Sequence, residues 1–145
     1  MRWFTKPKDA TPVEELQLEA MHAVIDALRG EPSFEDIDWC AFAVVAQADG
    51  RAIARVDAIY YDDHGHPDEM ILSTRRMRPY LQDLLLATEG PDESLWQVAV
   101  LSYHQPSNHF AMKFYRPGDA EPYLMSPERW EAIAELVRPP ELARD

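Results

Sequence analysis

Alternating hydrophobic and polar positions are clearest between Leu95 and Tyr115, where two β-rich runs flank a polar break. The break contains Pro106 and Asn108, which are typical turn residues, so the pattern predicts a β-hairpin. In the second run, one predicted face carries Phe110, Met112 and Phe114, and the other carries His109, Ala111, Lys113 and Tyr115. We expect one face to be covered, and we interpret this hairpin as the element around which the domain is built.

Three further stretches have the hydrophobic period of a helix. The first begins at Thr11-Pro12-Val13-Glu14, which has the form of a capping box, and ends at Gly30. Its predicted apolar face is formed by Val13, Leu16, Ala20, Val24 and Leu28. A second helix is predicted at 80–88, and Pro79 is compatible with it only in the first turn. A closing helix follows Ser126, with an apolar face of Trp130, Ile133, Ala134 and Val137.

A second hairpin is predicted between the first two helices. The β-rich runs 39–47 and 51–61 flank Asp49-Gly50, and glycine accepts the positive φ that tight hairpin turns need. The first run has alanine and valine on both predicted faces, as expected for a central strand that is covered on two sides. In the second run Arg55 and Asp57 share one face, which predicts partial exposure there.

The order of these elements predicts an α+β fold. With a short third strand at 69–72, we expect a mostly antiparallel sheet of four to five strands, built from two hairpins, with three helices packed mainly on one face. The chain divides into a lead-in at 1–10, one domain at 11–140 and a tail at 141–145. Its 145 residues with 46% hydrophobic content are enough to bury a core.

The net charge of the chain limits the classes of macromolecule that it is expected to bind. The chain has 26 acidic and 14 basic residues and a formal net charge of −12, so most of its surface would repel nucleic acid. Direct DNA or RNA binding is therefore not expected, whereas a basic protein would be attracted. A single cysteine cannot form an internal disulfide, and no apolar run has the length of a signal peptide or a membrane span. We predict a cytoplasmic protein that does not bind a membrane.

The segment Asp62–Glu69 is the most polar in the chain, with four carboxylates and two histidines. His64 and His66 could bind one metal ion together with Asp62 or Asp68. The spacing matches no standard metal site, however, and glycine and proline between charged residues are typical of an exposed turn. We therefore interpret the segment as a solvated loop and predict no metal site.

Two further features could in principle bind a ligand or act as a nucleophile: an arginine cluster and the single cysteine. Arg75, Arg76 and Arg78 form a local basic cluster that could hold a phosphate, and we favour the alternative that they pair with carboxylates or bound the second helix. Cys40 lies in an apolar run where no histidine or aspartate spacing indicates a nucleophile, so we interpret it as a small buried side chain. No catalytic residue and no cofactor is predicted.

Five short motifs are spread over residues 36–137. They are Asp38-Trp39, Ile59-Tyr60-Tyr61-Asp62, Leu95-Trp96-Gln97-Val98, Phe110-Ala111-Met112-Lys113-Phe114-Tyr115 and Ser126-Pro127-Glu128-Arg129-Trp130. Together they resemble the YezG-like family, whose members are immunity proteins, or antitoxins, that neutralise polymorphic toxins by binding the toxin domain. The chain departs from the family pattern in its long first helix and in its alanine-rich strand at 39–47.

The resemblance implies a protein that binds a cognate toxin domain and needs no nucleophile, metal or cofactor of its own. Many toxin domains are nucleases with basic clefts, where carboxylates presented on loops can take the place of phosphate. The inhibitory surface is predicted first at Asp57, Asp62, Asp63, Asp68 and Glu69. A second set of predicted contact residues is Glu89, Asp92 and Glu93.

Two other classes of function are compatible with the residues. One is a small-molecule-binding or enzymatic α+β domain, with a pocket between sheet and helices lined by Tyr60, Tyr103, His104, His109 and Tyr115. The other is a general interaction subunit that uses the same acidic surface without any toxin. Genomic context distinguishes them, because a neighbouring toxin gene indicates immunity and a metabolic operon indicates an enzyme.

Overall fold

The computed structural model describes residues 12–32, 38–70, 72, 74–89 and 95–142. Within them the α-helices are α1 (Pro12–Arg29), α2 (Thr74–Ala87) and α3 (Trp130–Leu136). The strands are β1 (Ala41–Asp49), β2 (Ala52–Tyr61), β3 (Pro67–Met70), β4 (Val98–His104) and β5 (His109–Tyr115). Short 3-10 turns lie at Glu121–Tyr123, Pro127–Arg129 and Pro140–Leu142. Thr11 of the predicted capping box and the predicted lead-in at 1–10 lie outside the described residues, so the capping contact itself is not tested.

The five strands form one antiparallel sheet in the order β3-β2-β1-β4-β5. The α+β prediction and both predicted hairpins are therefore confirmed. The central position belongs to β1, which pairs with β2 on one side and β4 on the other. Apart from half-buried Gln47 and exposed Asp49 near its end, β1 is buried along its length, as its alanines and valines on both faces predict.

Helices α1 and α2 cover one face of the sheet. Phe42, Val44 and Ala46 point to this side of β1, and they belong to the same buried cluster as the apolar faces of both helices. Phe110 also lies in this cluster, with Met112 and Phe114 packed against it, which confirms the face predicted for β5. Burial of these side chains is the main stabilisation of the helix pair on the sheet.

Helix α2 begins earlier than its apolar pattern predicts. It starts at Thr74, so Pro79 lies inside the helix and not in its first turn, and that part of the prediction is wrong. Proline removes one helical hydrogen bond, but Pro79 is exposed, so water can reach the carbonyl that loses its partner. The added turn is held by buried Met77 and by Arg76, whose Nη1 donates to the Ala27 carbonyl at 2.8 Å.

The arginine cluster before Pro79 is divided between two environments. Arg76 forms an ion pair of 2.7 Å with Glu31, whose side chain is only 4% exposed. This contact follows the predicted pairing with a carboxylate and ties the end of α1 to the start of α2. Arg75 and Arg78 are exposed on α2 and have no ion pair in the described part of the chain.

Helix α3 covers the opposite face of the sheet. Ala41, Ala43 and Val45 of β1 belong to a second buried cluster with Ile133 and Ala134 of α3. The second cluster also contains Ile59, Tyr61, Val98, Val100, Ala120, Met125 and Val137. Two of the three helices thus share one face, and the third closes the other, because β1 is apolar on both sides.

Candidate functional site

The five carboxylates of the first predicted set lie on or beside the β2–β3 hairpin. Asp57 is on β2, Asp62 and Asp63 follow that strand, and Asp68 and Glu69 are on β3. Because β3 is the last strand of the sheet on this side, the hairpin forms one border of the molecule. We call Asp62, Asp63, Asp68 and Glu69 the acidic edge.

The loop between β2 and β3 is organised by Asp62. Its Oδ1 accepts hydrogen bonds from the backbone N–H groups of His64 and His66, both at 2.9 Å. These bonds stabilise the ionised carboxylate, and the one from His66 contributes most to lowering the pKa of Asp62. Gly65 adopts a φ of 79°, a left-handed conformation that other residues rarely take, so the turn depends on glycine at this position.

Arg138 anchors this loop to the end of α3. Its Nη1 donates to the Gly65 carbonyl at 2.6 Å, and its other nitrogens bond both carboxylate oxygens of Glu135 at 3.0 and 2.7 Å. The guanidinium carbon lies 5.1 Å from the centre of the Tyr61 ring, and the Arg138 side chain is 4% exposed. Three hydrogen bonds and one ring contact thus fix this buried side chain, and the bond to Gly65 holds the loop to it.

Tyr61 makes a second connection between β2 and α3. Its hydroxyl donates to the Ala134 carbonyl at 2.6 Å, and its side chain is fully buried. Burial raises the pKa of Tyr61, so the phenol stays protonated and remains a donor. Tyr61 directly precedes Asp62, and the base of the acidic loop is therefore fixed from inside the core.

The outward-facing backbone donor of β3 is already occupied. The Asp62 N–H donates to the His66 carbonyl, and continuing this alternation along the ladder turns the Glu69 N–H away from β2. The Oδ1 of Asp68 accepts a hydrogen bond from this N–H at 2.7 Å, and its Oδ2 accepts one from the Tyr60 hydroxyl at 3.2 Å. A partner would therefore meet side chains here, because the available backbone donor is already occupied.

A groove lies beside the acidic edge on the α3 side of the sheet. Its volume is about 410 Å³, and it is lined by Arg55, Asp57, Asp68, Glu69, Met125, Ser126, Pro127 and Trp130. Within it the Arg55 side chain neutralises Asp57 through bonds of 2.7 and 3.2 Å. Trp130 supplies an aromatic wall that is half buried, and Glu69 supplies an exposed carboxylate. The groove thus combines an aromatic surface with excess negative charge.

The carboxylates differ in how much of their charge is available. Asp57 is paired with Arg55, and Asp62 is engaged by its own loop. The carboxylates of Asp63 and Glu69 are exposed and have no ion pair or hydrogen bond in the described ranges. Together with Asp68, which is bonded to neutral donors, they carry the uncompensated charge of the hairpin.

The second predicted set is not part of this surface. Glu89 follows α2 and pairs with Arg51 at 2.9 Å, at the start of β2, whereas the acidic edge begins where β2 ends. A ten-residue strand separates the two positions, which corresponds to roughly 30 Å. Asp92 and Glu93 lie outside the described residues.

The structure also places the residues of the other chemical hypotheses. The rings of His64 and His66 are 6.1 Å apart, and no group of three metal-ligating side chains suited to an ion occurs among the described residues. Cys40 is half buried, and burial together with Asp63 and Asp62 raises the pKa of its thiol, which disfavours the reactive thiolate.

The five residues of the predicted aromatic pocket lie on two faces of the sheet. Tyr60 and Tyr103 pack against the cluster under α1 and α2, whereas Tyr115 packs against the cluster under α3. His104 and His109 are cross-strand partners, and they lie on the α3 side with Tyr115 because they are in step with it along β4 and β5. One pocket shared by all five residues is therefore not formed.

Two residues of the site, Trp130 and Arg138, have no local sequence signal that indicates their role there. Trp130 was predicted as part of an apolar helix face, and its place in the groove depends on how α3 meets β2 and β3. Arg138 contacts Gly65 across 73 positions of the chain, a separation that no local pattern could reveal. The Asp62–His66 turn, by contrast, was indicated by its glycine and aspartates.

No protein-family model matches the chain, and comparison with curated proteins gives no match. None of the described helices combines the length and the apolar character needed to cross a membrane.

Proposed function

We propose that this protein is an immunity protein that binds and neutralises a cognate bacterial toxin domain through the acidic edge. The observation that carries the proposal is the presence of uncompensated carboxylates along one border of the sheet, where Arg138 and the Asp62 turn fix the loop that carries Asp63. Fixed charges lose little conformational freedom when a partner binds, so more of their attraction appears as affinity. The family resemblance of the sequence supports the same function.

The partner surface proposed for this site is basic and contains at least one arginine or lysine that enters the groove. Glu69 offers a carboxylate to such a side chain, and the half-buried Trp130 ring offers a face for cation–π contact. A nuclease toxin has a cleft of this charge, because it must bind phosphate. Occupying that cleft with carboxylates would exclude the substrate, and the protein itself would need no chemical step.

Co-expression with the toxin domain encoded beside this gene tests the function directly. We expect the protein to restore growth of cells that produce the toxin and to co-purify with it as a defined complex. Growth that stays arrested, with no complex on gel filtration, would contradict the proposal.

Charge reversal tests the surface separately from the function. The variant Asp63→Lys/Asp68→Lys/Glu69→Lys is expected to weaken toxin binding at least ~100-fold, mainly because attraction becomes repulsion at the contact. Glu19→Lys/Asp26→Lys is a control, since both residues are exposed on α1, which covers the face of the sheet opposite the groove. If the control weakens binding as much as the triple variant does, the effect is one of net charge and the acidic edge is not the contact.

A further inference from the structure

A second concave site lies on the same face of the sheet as the groove, but over strands β4 and β5. The register places Ala43, Ser102 and Ala111 in one row across β1, β4 and β5. Because three neighbouring strands carry small side chains in this row, the surface of the sheet is recessed here. Val137, Pro140 and Tyr123 are among the residues that border the resulting cavity, which has a volume of about 80 Å³.

One hydroxyl that lines the cavity has no hydrogen-bond partner among the described residues. Ser102 is 8% exposed and lines the cavity, and its hydroxyl makes no hydrogen bond in the part of the chain that the structure describes. Among the described residues, the side-chain polar atom that is both fully buried and without a partner is Gln47 Oε1, so the Ser102 hydroxyl is open to the cavity and available to a ligand that enters it.

The positively charged side chain of Lys113 lies at the same cavity. Lys113 is exposed, lines the cavity and forms no ion pair among the described residues, although the protein has an excess of carboxylates. Arg138 also borders the cavity, but its guanidinium is bonded to Glu135 and to the Gly65 carbonyl. Lys113 is therefore the cation that can serve a ligand here.

Two phenol rings form a further wall. Tyr115 and Tyr123 are stacked with centroids 4.0 Å apart and an interplanar angle of 23°. Burial, followed by the hydrogen bond with Tyr123, raises the pKa of Tyr115 to about 12, so its hydroxyl remains protonated at neutral pH. The remaining walls are apolar and include Val100, Leu136 and Val137.

We propose that this cavity binds a small monocarboxylate, with the carboxylate accepting hydrogen bonds from Ser102 and Lys113 and a short alkyl group packed against Val100 and Val137. A single available cation matches one negative charge, and the acidic molecule as a whole disfavours a dianion such as phosphate. A cavity of about 80 Å³ has room for roughly three to five non-hydrogen atoms, which is the size of acetate or propionate.

The test is titration of the isotopically labelled full chain with sodium propionate, followed by NMR of backbone amides at constant pH and ionic strength. We expect saturable shifts at the amides of Ser102, Ala111 and Lys113. Propionamide, which has the same shape without the charge, should produce at most weak shifts. Phosphate at the same concentration should also fail to saturate the site.

Two substitutions identify the groups that bind. Ser102→Ala is expected to weaken propionate binding about fivefold through the loss of one hydrogen bond. Lys113→Met keeps the aliphatic stem and removes the charge, and it should weaken binding at least ~10-fold. Arg78→Gln is the matched control, because it removes an exposed cation from α2 on the other face of the sheet.

The proposal is overturned if propionate produces no saturable shifts around Ser102, or if Ser102→Ala and Lys113→Met bind it as well as the original chain. Equal binding of phosphate and propionate would also overturn it, because it would show attraction to the lysine alone. Toxin binding by either variant is a separate measurement, so failure here leaves the proposed immunity function to its own tests.

Discussion

At the scale of single residues, buried polar side chains connect parts of the chain that are distant in sequence. Arg138 is the clearest case, because it bonds the β2–β3 loop from a position just after α3. Thr88 makes a more local connection on the other face, between the end of α2 and the segment before β4, where its Oγ1 accepts a hydrogen bond of 2.8 Å from Trp96 Nε1 and donates to the Leu84 carbonyl. Such residues specify one arrangement of elements that hydrophobic burial alone would leave less defined.

Substitution of Arg138 by methionine should both destabilise the fold and loosen the acidic loop. The apolar stem is retained, but the bonds to Glu135 and the Gly65 carbonyl are lost, at a cost of about 1–3 kcal/mol. Urea denaturation measures the cost, and amide exchange of the 62–66 loop measures the loosening. Arg129→Met is the control, since its pair with Glu121 is solvent-exposed and worth at most ~1 kcal/mol. Unchanged exchange in the loop would contradict the anchoring role.

The Asp62 turn should respond to acid in a direction set by its lowered pKa. A carboxyl whose pKa is lower in the folded than in the unfolded state stabilises the fold at pH values above its unfolded pKa. For Asp62 that value is 3.8, and the stabilisation is lost as the pH falls through the still lower folded pKa. The stability difference between the original chain and Asp62→Ala should be constant near neutral pH and shrink below pH 3.8. Chemical denaturation at a series of pH values checks this, and a difference independent of pH would contradict it.

At the scale of elements, strand β1 determines the architecture. Its alanines let packed layers approach closely on both sides, and this is why the alternation of its sequence is weak while its burial is nearly complete. The position of β1 at the centre of the sheet follows from that composition.

Enlarging an alanine of β1 should therefore be costly. Ala46 is fully buried under α1 and α2, and Ala46→Leu is expected to destabilise the fold by about 1–3 kcal/mol because the core has no room for the added atoms. Ala54→Leu makes the same chemical change at an exposed position of β2 and should have little effect. Equal midpoints of urea unfolding for both variants would show that the packing around β1 is loose.

Local patterns predicted the hairpins and the faces of their strands, since side-chain alternation is a property of each strand by itself. They failed at the start of α2, where Arg76 bonds the end of α1 and Met77 joins the buried cluster under both helices, because these contacts are not local in sequence. They could not indicate the groove beside Trp130 or the cavity over Ser102 either. Both sites arise where α3 crosses strands that are distant in sequence, and a one-dimensional pattern does not encode that crossing.

At the scale of the whole molecule, the net charge of −12 should make stability depend on salt. Like charges repel more strongly in the compact state, and added salt screens them over about 8–10 Å at physiological strength. We expect the melting temperature to rise between ~0.02 and ~0.5 M NaCl at neutral pH. Calorimetry measures this, with choline chloride as a control for specific sodium binding. A melting temperature that falls with salt would show that attractive ion pairs outweigh the repulsion.

The hydrogen bond between Arg138 and the Gly65 carbonyl also has a consequence for synthesis on the ribosome. Strands β2 and β3 are synthesised well before Arg138, since 73 positions separate Gly65 from Arg138. A nascent chain can therefore form the hairpin early but gives its loop a final shape only when translation has passed α3.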